Sequence, residues 1–162
     1  MSDPNNSQYL YLVQHGEAVA ESIDPKRPLS LLGRTVVEQV ATWAAQRGVA
    51  VDQIRHSGKL RAAQTATIFA DKLGPRDGVR VQSGLAPNDD VRPLAEALAT
   101  EPAALMLVGH LPFLSRLAGF LLAGESARPV IRFRNAGLVG LVREGEQWTI
   151  ECVIPPQFTG PR

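Results

Sequence analysis

Cysteine is nearly absent: Cys152 is the only one in 162 residues, so an internal disulfide is excluded and a cysteine-based metal site cannot form. Charge of one sign is missing too. Lys and Arg total 17 against 16 Asp and Glu, and a formal net charge of +1 gives no reason to expect nucleic acid or an anionic membrane as partner. No apolar run approaches membrane-spanning length, and the polar start Met1–Ser7 lacks the apolar core of a signal peptide. A cytoplasmic protein is therefore expected. Repeats, low-complexity tracts and internal linkers are also lacking. What is present is ordinary, with 44% hydrophobic and 20% charged residues, enough for one domain with a sizeable core. That domain is expected to fill residues 1–162, with flexible tails at 1–7 and 155–162.

The most informative stretch is Tyr9–Ala18, Y-L-Y-L-V-Q-H-G-E-A. Its apolar part, Tyr9–Val13, suits a strand buried on both faces. Polarity changes abruptly at Gln14-His15-Gly16, and Gly16 permits a sharp turn or a close approach to a ligand. His15 then stands at the carboxyl end of a strand, where open α/β sheets bind their ligands.

The rest of the chain alternates. After a loop with Pro25 and Pro28, Ser30 caps a helix to about Arg47, and Val51–Ser57 forms a second strand. A helix follows over Lys59–Leu73, then a short strand at Val79–Gln82. Asp89 or Asp90 can cap the next helix, whose first turn accepts Pro93. Ala104–Val108 is the second strongly apolar strand, followed by Gly109-His110 and a helix from Pro112 to about Leu122. Beyond Gly124, the segments Val130–Phe133, Leu138–Arg143 and Gln147–Ile154 alternate as strands in hairpin connection. The order predicts a three-layer αβα domain with a mainly parallel sheet and antiparallel strands late in the chain.

In such a sheet His15, Arg61 and His110, all at or just after strand ends, gather at one rim. Two imidazoles and an arginine beside helix amino termini make an anion site, and phosphate fits best. Arg61 offers a planar fork, and the helix from Lys59 adds unpaired backbone N–H groups.

Here the chain resembles the histidine phosphatase superfamily, in its phosphoglycerate-mutase-like branch and among the short phosphohistidine phosphatases of the SixA type. Tyr11-Leu-Val-Gln-His-Gly-Glu-Ala18 stands for the R-H-G motif and Arg27-Pro-Leu-Ser-Leu-Leu-Gly33 for the loop and helix start. Ser57-Gly-Lys-Leu-Arg-Ala-Ala-Gln-Thr65 matches the S-x-x-x-R-A-x-Q-T helix, and Leu107-Val-Gly-His-Leu-Pro112 carries the second histidine. The resemblance implies that His15 is the nucleophile, forming a phosphohistidine enzyme that water hydrolyses. It implies that Arg61 and His110 hold the equatorial oxygens, with Gly16 at the phosphate and no metal or cofactor. A phosphorylated protein is the implied partner of a monomeric enzyme.

The family's first-motif arginine is Gln14 in this chain. Glutamine can donate a hydrogen bond to phosphate, but a lost charge could cost ~2–4 kcal/mol of transition-state stabilisation. Lys59 is expected to supply the missing charge, with His56 as another candidate. For a general acid, Glu17, Asp89 and Asp90 remain open, Glu17 lying also within reach of the phosphate site. A phosphohistidine substrate relaxes that demand, because imidazole leaves more easily than an alkoxide. The chain has no room for an inserted cap, so an open rim is expected. Arg128, Arg132 and Arg134 read as charges on an exposed edge strand. The rival functions are a phosphatase for small phosphoesters and a catalytically silent phosphate- or phosphohistidine-binding module.

Overall fold

The computed structural model describes residues 6–161. The elements run β1 (Gln8–Gln14), α1 (Leu31–Gln46), β2 (Gln53–His56), α2 (Leu60–Leu73), β3 (Val79–Val81), α3 (Arg92–Leu98), β4 (Leu105–Gly109), α4 (Phe113–Ala123), β5 (Leu138–Glu144) and β6 (Gln147–Ile154). One six-stranded sheet has the order β3-β2-β4-β1-β5-β6. Strands β3, β2, β4 and β1 are parallel, while β5 runs antiparallel to both β1 and β6. The fold is the expected α/β arrangement, mostly parallel with antiparallel late strands.

Alternation along the two central strands builds the three layers. Leu10 and Leu12 of β1, with Leu105 and Leu107 of β4, point to the face covered by Leu94, Leu98, Leu114 and Leu117 of α3 and α4. Tyr11, Val13, Met106 and Val108 point to the other face, against Val37, Val40, Ala62 and Phe69 of α1 and α2. Both faces are thus dry, which is why these two strands read as unbroken apolar runs. Ser30 caps α1 as predicted, its Oγ accepting the Gly33 N–H at 2.9 Å. Among the described residues no helix is long and apolar enough to cross a membrane.

Three expectations change. Val130–Phe133 is not a strand: Ile131 and Phe133 are buried on the α3–α4 side, but the backbone pairs with no neighbour. Arg128, Arg132 and Arg134 therefore lie on an irregular connection and not on an edge strand. The segment expected to be a tail from 155 onward contains a 3₁₀ turn at Pro156–Phe158 and packs on α1. Gln39 Nε2 donates to the Pro156 carbonyl and to Thr159 Oγ1, and Thr159 is buried. Of the amino-terminal tail expected at 1–7, residues 1–5 lie outside the described residues. Lastly, Val91, and neither aspartate, stands at the amino cap of α3, and its side chain makes no cap bond. Asp89 Oδ2 accepts the Ala86 N–H and does not cap the helix, whereas Asp90 Oδ1 accepts the N–H of Arg92, the first residue of α3, at 3.0 Å and its carboxylate also pairs with the Arg92 guanidinium; neither aspartate bonds to the rim.

Candidate active site

The carboxyl ends of β1, β2 and β4 share one rim. His15 follows β1 directly, and its N–H bonds to the Gly109 carbonyl at 3.0 Å, continuing the ladder for one more residue. His110 follows β4, and the two imidazole centroids are 5.0 Å apart. Arg61, in the first turn of α2, brings Nε to 3.4 Å from His15 Nε2. The structure thus gathers all three residues at one place.

The hydrogen bonds settle the state of His15. A carbonyl can only accept, so Nδ1, 2.7 Å from the Gly16 oxygen, carries the proton. A guanidinium can only donate, so Nε2 presents a lone pair toward Arg61. Burial holds the imidazole below its ordinary pKa; the Gly16 bond opposes this, while the charges of Arg61 and Arg27 add to it. His15 is therefore neutral near pH 7, with the Nε2 lone pair directed at Arg61.

His110 is almost fully buried, and its Nε2 lies 2.6 Å from Ser57 Oγ. Burial, then His15, Arg61, Lys59 and Arg27, push its pKa down to about 3. In the unfolded chain it titrates near ~6.5. The folded state thus binds fewer protons between those values, and stability is lost as pH falls from about 6.5 toward about 3. At pH 4.5 that amounts to roughly 2 kcal/mol. Thermal unfolding of His110→Gln should accordingly show a shallower loss of stability than wild type between pH 6.5 and 4.5. Parallel curves would contradict this.

The remaining candidates divide. Gly16 lies where a Cβ would come within 2.6 Å of Val37 Cγ2, so only glycine lets the loop pass so close to α1. Lys59 is the exposed residue at the amino cap of α2, and its charge bears on His110. Gln14 is half-buried with Oε1 unpartnered among the described residues. His56 Nδ1 accepts the Gly58 N–H at 3.0 Å, closing the turn into α2, and only burial perturbs its pKa. Glu17 is exposed, and its carboxylate accepts from Ser30 Oγ at 2.9 Å. The roomier clefts lie elsewhere, such as one of about 560 Å³ between α1 and α2 that touches none of His15, Arg61 and His110. At the rim His15 and Arg61 are half-buried and His110 almost fully buried.

No family model matches the chain. A protein of Picosynechococcus sp., itself uncharacterised, is 35% identical over 82% of this chain and 83% of its own length. Phosphohistidine phosphatase SixA of Escherichia coli K12 is 29% identical over 72% of this chain and 76% of that protein. The solved protein histidine phosphatase SixA complexed with tungstate superposes with a TM-score of 0.83 at 24% identity, covering 93% of this chain and 99% of that one. A mycobacterial glucosyl-3-phosphoglycerate phosphatase gives 0.69 at 20% identity, over 90% and 97%. The chain belongs to the histidine phosphatase superfamily.

This histidine phosphatase superfamily member holds its rim with residues whose contacts are not visible in the motifs. Thr65 Oγ1 accepts the Gly16 N–H at 3.0 Å and donates to the Arg61 carbonyl, joining the His15 loop to α2. Gln64 Oε1 accepts the Leu29 N–H at 2.7 Å, joining the same helix to the loop before α1. Asn135 Nδ2 donates to the His15 carbonyl at 2.9 Å from 120 residues away. Gln64 and Thr65 were visible as motif letters; Asn135 carried no local signal. Arg27 was also missed as a site residue. Its backbone is left-handed at φ 47°, a conformation costing roughly 1–3 kcal/mol in a residue with a side chain. Its charge acts on His15, Arg61 and His110 alike.

Proposed function

We propose that the protein is a phosphatase that takes the phosphoryl group onto Nε2 of His15, from phosphohistidine carried on another protein. The observation that carries this reading is a neutral imidazole whose Nε2 lone pair faces a guanidinium, with a second imidazole 5.0 Å away at the same rim. In the first step Nε2 attacks phosphorus in line, the substrate P–N bond breaks, and the leaving imidazole takes a proton from solvent. In the second, water attacks the phosphorylated His15, the new P–N bond breaks, and inorganic phosphate departs with Nε2 restored. Arg61 and His110 offset charge on the equatorial oxygens, and the anion raises the proton affinity of His110.

The surroundings favour a protein over a small substrate. Leu60 and Leu111, which adjoin Arg61 and His110 in the chain, are exposed. Exposed apolar side chains next to the site suit a docked protein surface. Among the described residues no carboxylate bonds to His15, Arg61 or His110, so none of them holds an acid ready for an alkoxide leaving group. Gln14 favours one rival, a phosphate-binding module without turnover.

Rapid quenching with a [³²P]phosphohistidine carrier protein tests the reading. Acid-labile label should appear on His15 and decay to inorganic phosphate within the same turnover. A sugar phosphate hydrolysed faster than the phosphohistidine protein would replace the proposed substrate class. Phosphate binding without any label would leave only the binding module.

A further inference from the structure

We propose that Arg27 grips the phosphoryl group, supplying from the loop before α1 a second guanidinium that Gln14 cannot provide. This rests on the phosphatase reading above, and it shifts the compensating charge from Lys59 to the arginine that opens the Arg27–Gly33 segment.

The loop is built to hold Arg27 at the rim. Val19 N–H bonds to the Pro28 carbonyl at 2.9 Å, and Ala18 bridges to Leu29, so the segment runs beside the residues that follow His15. Leu29 N–H bonds to Gln64, one turn along α2 from Arg61. Arg27 sits between these tethers. Its own Nε donates to the Val19 carbonyl at 3.1 Å, which fixes the guanidinium plane and leaves both terminal nitrogens without partners among the described residues. A fork held by Nε with its two terminal groups free is the form that meets phosphate oxygens.

Two further observations point to an anion. The left-handed backbone at Arg27 is tolerated where glycine or asparagine would relieve it, which marks a side chain retained for what it contacts. The charges acting on His15, Arg61 and His110 are all cationic: Arg27 reaches all three, whereas Lys59 reaches His110. Arg27 and Arg61 repel in the absence of a counter-charge, and a phosphoryl group turns that repulsion into attraction.

Arg27→Asn removes the charge while accepting the same backbone, and Arg27→Lys keeps the charge without the fork. Arg27→Asn should slow His15 phosphorylation by about 30-fold or more and weaken inorganic phosphate binding about 10-fold. By NMR titration it should also raise the His15 midpoint toward its ordinary value, with a melting temperature within about 2 °C of wild type. Arg27→Lys should keep the His15 midpoint and recover only part of the phosphate affinity. Adding Gln14→Arg to Arg27→Asn should restore most of the rate. A folded Arg27→Asn protein with wild-type phosphate affinity and an unmoved His15 midpoint overturns the proposal. So does an Arg27→Lys protein with both wild-type phosphate affinity and rate, since that leaves no part for the fork. If wild type forms no phosphoenzyme yet Arg27→Asn loses phosphate affinity, the phosphatase reading fails and the Arg27 contact stands. Normal turnover in both proteins has the opposite meaning.

Discussion

His15→Ala is expected to lower turnover by at least about 10⁴-fold and to abolish the acid-labile phosphoenzyme. The side chain bonds only to the neighbouring Gly16 carbonyl and, weakly, to Arg61, so its removal leaves the fold in place. Phosphate should still bind, because Arg61 and His110 remain. A catalytically competent variant, with more than a tenth of wild-type rate, would show that phosphoryl transfer bypasses this imidazole. The pH profile gives an independent reading. Only the neutral form of His15 is nucleophilic, so the rate falls as pH drops through its folded pKa. Burial and the charges of Arg61 and Arg27 hold that pKa below the ordinary value, so the acid limb of kcat/KM should lie below pH ~6.5.

Gly33→Ala gives the second large effect, and its sign separates local from tertiary reasoning. Gly33 lies in the first turn of α1, where alanine is the better helix former by roughly 1 kcal/mol. Helix propensity alone therefore predicts a more stable protein. In the fold, however, a Cβ at this position would come within 2.1 Å of the Glu17 carbonyl oxygen and 3.0 Å of the Glu17 nitrogen. These are backbone atoms, and the Glu17 carbonyl already accepts the Ser30 N–H, so they cannot swing aside. Relief requires helix and loop to part, at about 2–4 kcal/mol and a drop of roughly 5–10 °C in melting temperature. Glu17 is two residues from His15, and a shift near 1 Å at the nucleophile can cost about 10²-fold in rate. A melting temperature equal to or above wild type would mean that the two segments are not in this contact.

The backbone of the fold was legible because its signals are local. Leu10–Val13 and the run ending at Val108 are apolar without interruption, since both faces of a central strand are covered, whereas Tyr9, expected to be buried with them, is exposed. Ser30 announced the start of α1 through a bond closed within three residues. Val130–Phe133 shows the limit of such signals. Buried Ile131 and Phe133 alternate with exposed Arg132 and Arg134, giving the period of a strand. Yet β1 is already flanked by β4 and β5, and β5 by β1 and β6, and no neighbour takes up this backbone. Alternation reports which side chains are covered; a partner for the backbone has to come from elsewhere in the chain.

The same division runs through the site. Strand ends followed by His15-Gly16 and Gly109-His110, and an arginine opening α2, suffice to forecast an anion site, because parallel strands deliver their carboxyl ends to one rim. No reading of neighbours along the chain reveals which atom of His15 carries the proton, how Asn135 reaches its carbonyl, or where Arg27 points. The His15 proton is placed by a ring orientation toward the adjacent Gly16 carbonyl that only the folded backbone fixes, and the other two depend on contacts 8 to 120 residues apart, Arg27 with Val19 and Asn135 with His15. Periodicity and capping are properties of adjacent residues and survive in the sequence. A hydrogen bond or a charge across a loop exists only once packing has set the distance.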